Sequence, residues 1–374
     1  MKIVILFVSI LITSITAFGQ ASLFMNNSKN VDSLFRSVYT DDLPGASVAI
    51  VDCGKVIFKK SYGAREINSK EKISSSTNFN IASLTKQFTA IAIVQLAEKN
   101  KLSLTDKLSV FFPEMNAKLA DAITVKQLLT HTSGAPDHYD YTDTKNIHHI
   151  HDSDVFNAIK NADFTYFIPG TKFRYSNTAF CLLALIIEKT SGLSYSEYLQ
   201  KNIFSCAGMK HSTVWNEHAF IFKPAIGYEW KAVQKQFKKS QAEENIFFST
   251  EGDGGIYTSV NDYLKWFKAL QSDKIFSKKI TDEARSIQFA IDENKKLGYG
   301  FGWFIDSNDV WEKVYHSGSN GGFRSFSFTI PSQNMLIVIF SNRDDIDLEE
   351  LVLKITQLLL PTGKPFTKIE KLTS

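Results

Sequence analysis

The hydrophobic pattern of this chain changes period twice, and this limits the possible folds more than any other feature. Two strand-like runs, residues 45–52 and 55–63, lie on either side of Cys53 and Gly54, which predicts a β-hairpin. From Ile81 the pattern becomes helical, and strand-like runs return only after about residue 298. The simplest assembly is one antiparallel sheet built from both ends of the chain, with a helical domain inserted between them.

The sequence therefore predicts an α+β fold, in the form of an α/β sandwich. The sheet part is expected over residues of about 28–78 and 255–360, and the helical part over about 79–254. A helix near each end, within 28–38 and within the run DLEELVLKITQLLL, would flank the sheet. A cleft would lie at the seam between the two parts.

The first twenty residues, MKIVILFVSILITSITAFGQ, are organised like a secretory signal. Lys2 precedes an apolar run from Ile3 to about Ala17, and the small residue Gly19 follows. We therefore expect residues 1–19 to be removed, leaving a mature domain over 20–374 that is periplasmic or secreted. An uncleaved N-terminal anchor is the alternative interpretation.

Composition narrows the function classes. The chain has 374 residues, with 42 Lys and Arg against 39 Asp and Glu, so its formal net charge is only +3. Nucleic-acid binding has no electrostatic support, because no long basic run is present. A hydrophobic content of 44% is enough for a packed core.

The chain has three cysteines, an odd number that leaves at least one free thiol in an exported protein. Cys53 and Cys181 lie in apolar runs, so we expect both to be buried and reduced. None of the three, Cys206 included, has a His or a CxxC partner that would indicate catalysis.

The stretch FNIASLTKQF places Ser83 three residues before Lys86 in what otherwise reads as an amphipathic helix. Positions i and i+3 share one face of a helix, and the first turn offers backbone N–H groups that can hold an oxyanion. A serine hydroxyl becomes a good nucleophile only when a base takes its proton. Ser83 and Lys86 are therefore either a nucleophile and its base, or a capping serine and a solvated lysine.

Later motifs favour the catalytic interpretation. PGTKFRYSN carries Tyr175 and Asn177 directly before a helical pattern, and YHSGSNGGF carries a His-Ser-Gly tripeptide from His316 on or beside a predicted strand. With LLTHTSG, LALIIEKTSG and GDGGIYTS around them, the ordered set resembles the serine β-lactamase and penicillin-binding protein family over residues of about 30 to 355. It is most similar to the branch of class C β-lactamases, D-Ala-D-Ala carboxypeptidases, D-aminopeptidases and related esterases.

The resemblance implies a β-lactamase/transpeptidase-like fold, in agreement with the hydrophobic pattern, and three catalytic residues. Ser83 would be the acylated nucleophile, and Lys86 would be its partner base. Tyr175 would be a second proton shuttle, a phenolate-forming group held near two cations.

The resemblance also implies the residues that bind the substrate. Asn177 would form a hydrogen bond with the amide side chain of the substrate. The other members of this set occupy the family's Lys-Thr-Gly motif and the position after it: His316, Ser317, Gly318 and Ser319. The backbone N–H groups of Ser83 and Ser319 would form the oxyanion hole, in which one donor is worth about 3–4 kcal/mol.

His316 departs from the Lys-Thr-Gly motif, a departure that the resemblance implies is common in the esterase-like and peptidase-like members. A histidine near its reference pKa of about 6.5 is mostly neutral at pH 7.5. We therefore expect a preference for neutral esters or amides and weak β-lactam turnover, with a gain on carboxylate substrates as the pH falls toward 6. Tyr-x-Asn in place of Ser-Asp-Asn argues against a close likeness to class A enzymes.

The chain has other histidines that could serve a catalytic or a metal-binding role. The sequence has no G-x-S-x-G motif, so a Ser-His-Asp hydrolase is disfavoured, and His131 in LLTHTSG is expected to be structural. The spacing of His148, His149 and His151 puts their side chains on different faces, so no metal site is predicted. Segment 136–154 is instead expected to be a lid near the cleft, and no cofactor is expected.

The sequence thus predicts an exported serine hydrolase that forms an acyl-enzyme on Ser83 and acts on a small-molecule or peptide substrate. The candidates are small esters and peptides with D-amino acids, cell-wall peptides among them. A catalytically reduced sensor or binding protein of the penicillin-binding type is the alternative. No nucleic-acid partner is expected.

Overall fold

Both ends of the chain contribute strands to one sheet, which confirms the predicted fold class. The computed structural model describes residues 28–141, 149–240, 246–294 and 296–360. The predicted signal segment lies outside these ranges. The strands are β1 (Ala46–Asp52), β2 (Lys55–Tyr62), β3 (Ala64–Glu66), β4 (Glu71–Lys72), β5 (Phe79–Asn80), β6 (Thr213–Val214), β7 (Tyr228–Lys231), β8 (Gln236–Lys239), β9 (Ile256–Thr258), β10 (Phe289–Asp292), β11 (Leu297–Tyr299), β12 (Phe304–Asp306), β13 (Lys313–Asn320), β14 (Phe323–Ile330) and β15 (Met335–Ser341).

The helices form layers on both faces of this sheet. They are α1 (28–36), α2 (Thr85–Glu98), α3 (Leu108–Phe111), α4 (Ala117–Ala120), α5 (Val125–Leu129), α6 (Asp152–Ile159), α7 (Asn177–Ser191), α8 (Tyr195–Leu199), α9 (Ser205–Ala207), α10 (Val260–Ala269), α11 (Lys278–Ala284) and α12 (Leu348–Leu359). Within the described ranges, none of them is both long enough and apolar enough to cross a membrane.

The main sheet has eight strands in the order β10-β11-β12-β13-β14-β15-β1-β2. The two ends of the chain meet inside it, where β1 pairs antiparallel with β15 from Ala46↔Ser341 to Val51↔Leu336. Side chains alternate along β15, so that Ile337 packs with α1 and α12 while Val338 packs with the α2 side. Burial on both faces explains why the sequence of β15 is a continuous apolar run.

The predicted boundaries between the sheet part and the helical part of the chain stay a prediction. The strands of the main sheet lie within 46–62 and 289–341, and α2 to α9 lie between 85 and 207. The short strands β6 to β8 fall within the part predicted to be helical. A small sheet, β5-β9-β6, joins residues from both parts.

Helix α2 lies at the centre of the helical layer. Every residue from Thr85 to Leu96 is buried, and α2 packs against α7 and α11. The expectation of an amphipathic helix is therefore wrong, because a helix surrounded by protein on all sides has no solvent face to make polar. The result is that Lys86, in the first turn of α2, is buried with the rest.

Side-chain caps fix where several helices begin. One capping box opens α5 at Thr124, and a second opens α8 at Ser194 with Glu197 as its partner. Ser259 opens α10 by accepting a hydrogen bond from the N–H of Asp262.

Cys53 is exposed, so the expectation that it is buried is wrong. It lies in the turn between β1 and β2 with a φ of 47°, and Gly54 follows with a φ of 75°. Side chains at the tip of a hairpin leave the sheet, whatever the apolar character of the strands beside them. Cys181 in α7 is buried as expected, and Cys206 is exposed.

Candidate active site

Ser83 lies in a single 3₁₀ turn, Ala82–Leu84, that leads directly into α2. Ala82 has a φ of 48°, which is strained for a residue with a side chain. The N–H of Ala82 donates to Oδ1 of Asn80 at 2.8 Å, and the hydroxyl of Ser325 donates to the carbonyl of Ile81 at 2.7 Å. These two bonds tie the nucleophile turn, residues 81–84, to β5 and β14.

The amine of Lys86 is fully buried and has three partners. Its Nζ lies 3.1 Å from Oγ of Ser83, 2.8 Å from Oδ1 of Asn177 and 2.9 Å from the carbonyl oxygen of Asp253. An amide oxygen and a carbonyl oxygen can only accept, so they take two N–H groups of the amine. The third position of the amine faces the hydroxyl of Ser83. The geometry therefore suits proton transfer from Ser83 to Lys86.

Asn177 is the first residue of α7, where Ser176 caps the helix by accepting from the N–H of Ala179. The amide of Asn177 is held at both ends. Its Oδ1 accepts from Lys86, and its Nδ2 donates to the hydroxyl of Tyr139 at 3.1 Å. These two contacts fix which way the amide faces.

A cleft of about 190 Å³ opens over Ser83. It is lined by the nucleophile turn, the start of α7, the 250–254 loop and the end of β13, with these residues: Ala82, Ser83, Tyr139, Asn177, Thr250, Asp253, Gly254, Ser319 and Asn320. Three sequence-predicted residues, Ser83, Asn177 and Ser319, thus share one cleft. Lys86 contacts two of them.

Tyr175 lies beside Lys86 and faces it with its ring. The Nζ of Lys86 is 4.9 Å from the centroid of the Tyr175 ring, which is within the range of a cation–π contact when the amine is charged. The same ring packs against His131, with centroids 4.3 Å apart, and against His316, with centroids 5.9 Å apart. The structure therefore brings the predicted shuttle next to the predicted base.

A chain of hydrogen bonds joins the two buried histidines. The backbone N–H of Ser176 donates to Nδ1 of His131 at 3.1 Å, so Nε2 of His131 carries a proton and donates to the hydroxyl of Tyr299 at 3.2 Å. At the other end, Nδ1 of His316 lies 2.6 Å from the carbonyl oxygen of Ser317 and must donate to it. Nε2 of His316 then accepts from Tyr299 at 3.2 Å. Backbone groups at both ends thus set both tautomers.

His131 and His316 are both neutral at physiological pH. Burial and the charge of Lys86 lower the pKa of His316 to about 3 and hold the pKa of His131 well below its usual range. The expected pKa near 6.5 for His316 is therefore wrong, and the expected gain on carboxylate substrates toward pH 6 loses the premise on which it rested. Of the groups that pack on Tyr175, Lys86 can carry charge but His316 does not, so the expectation of two cations there is also wrong.

Strand β13 approaches the nucleophile turn so closely that position 318 requires glycine. A Cβ on Gly318 would lie 2.3 Å from Oγ of Ser325 and 2.5 Å from the carbonyl oxygen of Ile81. This approach brings the following residue, Ser319, to the wall of the cleft that contains Ser83.

The predicted substrate-binding tripeptide is only partly placed for that role. The ring of His316 is 1% exposed and lies in the core, and the carbonyl of Ser317 is occupied by that ring. Two residues of β13 line the cleft. Ser319 is a predicted substrate-binding residue, and Asn320 is not.

The histidines of segment 136–154 have separate partners. His148 lies outside the described residues. Nδ1 of His149 lies 2.9 Å from Oγ of Ser249, and Nε2 of His151 lies 3.4 Å from a carboxylate oxygen of Glu217. The role of this segment as a lid stays a prediction.

One buried group in the described part of the chain has the composition of a metal site. The side chains of Asp152, Cys181 and Asp253 place one ligand atom each within 4.8 Å of one another. However, the Asp152 carboxylate accepts from the backbone N–H groups of Glu251 and Gly252, and the Cys181 thiol donates to Asp253 at 3.7 Å. Hydrogen bonds therefore account for this arrangement. Burial, together with the charges of Glu251 and Asp253, raises the pKa of Asp152 well above its usual range.

Comparison with known proteins identifies the family. The family model Beta-lactamase matches residues 31–358, most of the chain. The chain belongs to the beta-lactamase family. This membership confirms the resemblance inferred from the motifs and, with the fold, supports activity of the serine hydrolase type.

Individual relatives of this beta-lactamase family member include penicillin-binding proteins. It is 28% identical to Penicillin-binding protein 4* of Bacillus subtilis (strain 168), over 92% of this chain and 78% of that protein. It is 32% identical to Protein flp of Staphylococcus aureus (strain MW2) over 83% of this chain, and it spans 62% of that protein's length. The crystal structure of a penicillin-binding protein from Bacillus halodurans superposes with a TM-score of 0.77 at 27% identity, covering 88% of this chain and 98% of that one.

Sequence reasoning missed several contributors to the site of this beta-lactamase family member. Asp253 contributes its backbone carbonyl, an atom that every residue has, so its identity gave no signal. Tyr139 lies in the segment that is predicted to be a lid, and the sequence indicates no separate role for it. Its side chain contacts that of Asn177, but the two residues lie in distant segments, and nothing in the sequence indicates that these segments meet.

Proposed function

We propose that the protein is an exported serine hydrolase that acts on esters or amides through an acyl-enzyme on Ser83. The observation that carries this proposal is the 3.1 Å contact between Nζ of Lys86 and Oγ of Ser83, with the other two positions of the amine fixed by acceptors. Membership of the beta-lactamase family supports the same class of reaction.

Acylation begins when Oγ of Ser83 attacks the substrate carbonyl carbon. A neutral Lys86 amine takes the hydroxyl proton while Asn177 and Asp253 keep its two N–H groups in place. The carbonyl oxygen becomes an oxyanion that accepts from the backbone N–H groups of Ser83 and Ser319. Each such donor lowers the barrier by about 3–4 kcal/mol.

The leaving group departs with a proton. We assign the transfer of that proton from the Lys86 ammonium to the leaving oxygen or nitrogen to the hydroxyl of Tyr175, as the family resemblance implies for this residue, whose ring lies beside Lys86. Water then attacks the ester carbon of the acyl-enzyme. Its proton returns along the same path, and Ser83 is released with its hydroxyl restored.

The proposed substrates are small esters and peptides with D-amino acids, cell-wall peptides among them, with weak turnover of β-lactams. The neutral His316 supports this choice, because it lacks the positive charge with which a lysine at this position would attract a substrate carboxylate. Similarity to a penicillin-binding protein supports acylation of Ser83 by a β-lactam, even where turnover is slow. Export to the periplasm or the medium is proposed from the pattern of residues 1–19.

The replacement Ser83→Ala tests the reaction. Hydrolysis of p-nitrophenyl esters, nitrocefin and D-amino-acid peptides should be measured on the same preparation as the Tm. We expect the variant to lose turnover at an unchanged Tm, because a covalent path has no substitute for its nucleophile. A fluorophosphonate or a fluorescent penicillin should label wild type at Ser83 and leave the variant unlabelled.

Two results would count against the proposal. Residual turnover above about a tenth of wild type would remove Ser83 from the nucleophile role. Labelling of Ser83 without turnover of any substrate in the panel would favour the catalytically reduced sensor.

A further inference from the structure

The 250–254 loop borders the cleft, yet its conformation is held from outside the cleft by Asp152. This residue begins α6 and is 6% exposed. Its Oδ1 accepts from the backbone N–H of Glu251 at 3.1 Å, and its Oδ2 accepts from that of Gly252 at 3.0 Å. One carboxyl group thus fixes the orientation of two consecutive peptide groups.

Helices α2 and α7 hold the same loop from other directions. The hydroxyl of Thr89, one turn after Lys86 in α2, donates to the carbonyl of Gly252 at 2.7 Å. Gly252 also packs so tightly on α7 that a Cβ would lie 2.4 Å from the carbonyl oxygen of Phe180. With its N–H, carbonyl and Cα all in contact, Gly252 leaves little freedom to the next carbonyl along the chain.

That next carbonyl belongs to Asp253, and it accepts the hydrogen bond from Lys86 at 2.9 Å. The path from the Asp152 carboxyl group to the catalytic amine therefore consists of two clamped peptide groups and one carbonyl. From this loop, the residues that line the cleft are Thr250, Asp253 and Gly254. Asp152 lies behind them in the core.

We propose that Asp152 is a positioning residue for the reaction: by clamping the 251–252 peptide groups, it fixes the Asp253 carbonyl that turns the Lys86 amine toward Ser83. This inference rests on the proposed function. If the clamp is lost, the Asp253 carbonyl can swing away and the amine loses one of the two acceptors that orient it. Proton transfer from Ser83 then suffers, whereas substrate binding in the cleft is spared.

Asp152→Asn is the decisive variant, because it keeps the shape of the side chain and replaces one acceptor oxygen with an NH₂ group that faces a backbone N–H. For a p-nitrophenyl ester we expect kcat to fall about 10- to 100-fold, since a displacement of about 1 Å at the reacting groups can cost that much. KM should stay within about twofold of wild type, which is the signature of a lost transition-state interaction. Labelling of Ser83 by a fluorophosphonate should slow in parallel.

Asp154→Asn provides a matched control in the same turn of α6. Its carboxylate also accepts from a backbone N–H, that of His151, at 3.0 Å, but that bond only supports the start of the helix. We expect this variant to lower the Tm and to keep the wild-type kcat.

Thr89→Val supplies a second test if Asp152→Asn does not fold, because it removes the donor to Gly252 from the opposite side of the loop. It should also reduce kcat with little change in KM.

The outcomes separate the two proposals. If wild type shows Ser83-dependent turnover and folded Asp152→Asn and Thr89→Val keep its kcat, the positioning role is refuted and the proposed function stands. If Asp154→Asn loses as much kcat as Asp152→Asn, Asp152 only stabilises α6 and the inference also fails. If wild type shows no Ser83-dependent turnover with any substrate, the proposed function itself is refuted.

Discussion

Replacing Gly318 with alanine should damage catalysis more than stability. The added carbon would lie 2.5 Å from the carbonyl oxygen of Ile81, whereas ordinary contacts begin at 3.4 Å. It would also lie 2.3 Å from Oγ of Ser325, the hydroxyl that holds the same carbonyl. Ser325 can rotate away, but the Ile81 carbonyl is backbone and cannot. Strand β13 and the nucleophile turn must therefore separate by about 1 Å.

The size of the effect follows from what moves with β13. Ser319 comes directly after Gly318, and its backbone N–H is the proposed second oxyanion donor. A donor must lie about 2.7–3.1 Å from the oxyanion, so a shift of about 1 Å removes most of its contribution. Losing one donor costs about 3–4 kcal/mol in the barrier, or a fall in kcat of about 100- to 1,000-fold. The strain should cost about 1–3 kcal/mol in the free energy of unfolding.

The assay is kcat and KM for a p-nitrophenyl ester, with urea unfolding of the same sample. Gly254→Ala is the matched control, because Gly254 borders the same cleft but an added Cβ there would be 4.0 Å from the backbone of Ala82, an ordinary contact. We expect this control to keep most of its kcat. A folded Gly318→Ala variant with more than about half of the wild-type kcat would refute the reasoning, as would equal losses in the two variants.

The other predictions concern the proton path and the buried histidine. If Lys86 and Tyr175 act as one unit, Lys86→Ala and Tyr175→Phe should each lower kcat by several orders of magnitude, with the double mutant little worse than either; strict additivity would argue for separate roles. The pKa of His316 is about 3 in the folded state, against about 6.5 in the unfolded chain. Between these pH values the unfolded state therefore binds a proton that the folded state does not. The contribution of His316 to stability is therefore lost as the pH falls between these values, by up to about 1.4 kcal/mol per pH unit. Urea unfolding at pH 7 and pH 4 should show a smaller loss for His316→Gln than for wild type, and equal losses would contradict the lowered pKa.

The sequence predicted those parts of the site whose residues are neighbours on one element. Ser83 and Lys86 are one turn apart, so their contact follows from helix geometry alone. The start of α7 at Asn177 could be read from the serine before it and the apolar run after it. The sheet built from both chain ends was predictable for a similar reason, since strand and helix periods are local signals.

What could not be predicted depends on contacts between distant segments. The pKa of His316 is set by burial and by Lys86, which is far from it in sequence, so its reference value was misleading. The side chain of Asp152 binds backbone N–H groups of a distant loop, and Asp253 binds Lys86 through its backbone carbonyl. No pattern of residue types predicts such contacts. The burial of α2 on all sides is likewise a property of the layers around it.

The hydrogen-bond chain through Tyr299 restricts how this site can evolve. A lysine at position 316 has three N–H donors and no acceptor, so the hydrogen of the Tyr299 hydroxyl would lose the ring nitrogen that now accepts it. His131 cannot take that hydrogen, because its Nδ1 already accepts from the backbone N–H of Ser176. The exchange would therefore bury a charge and orphan a donor in one step. A lysine at position 316 would therefore need a compensating change at Tyr299, the residue whose hydroxyl loses its acceptor.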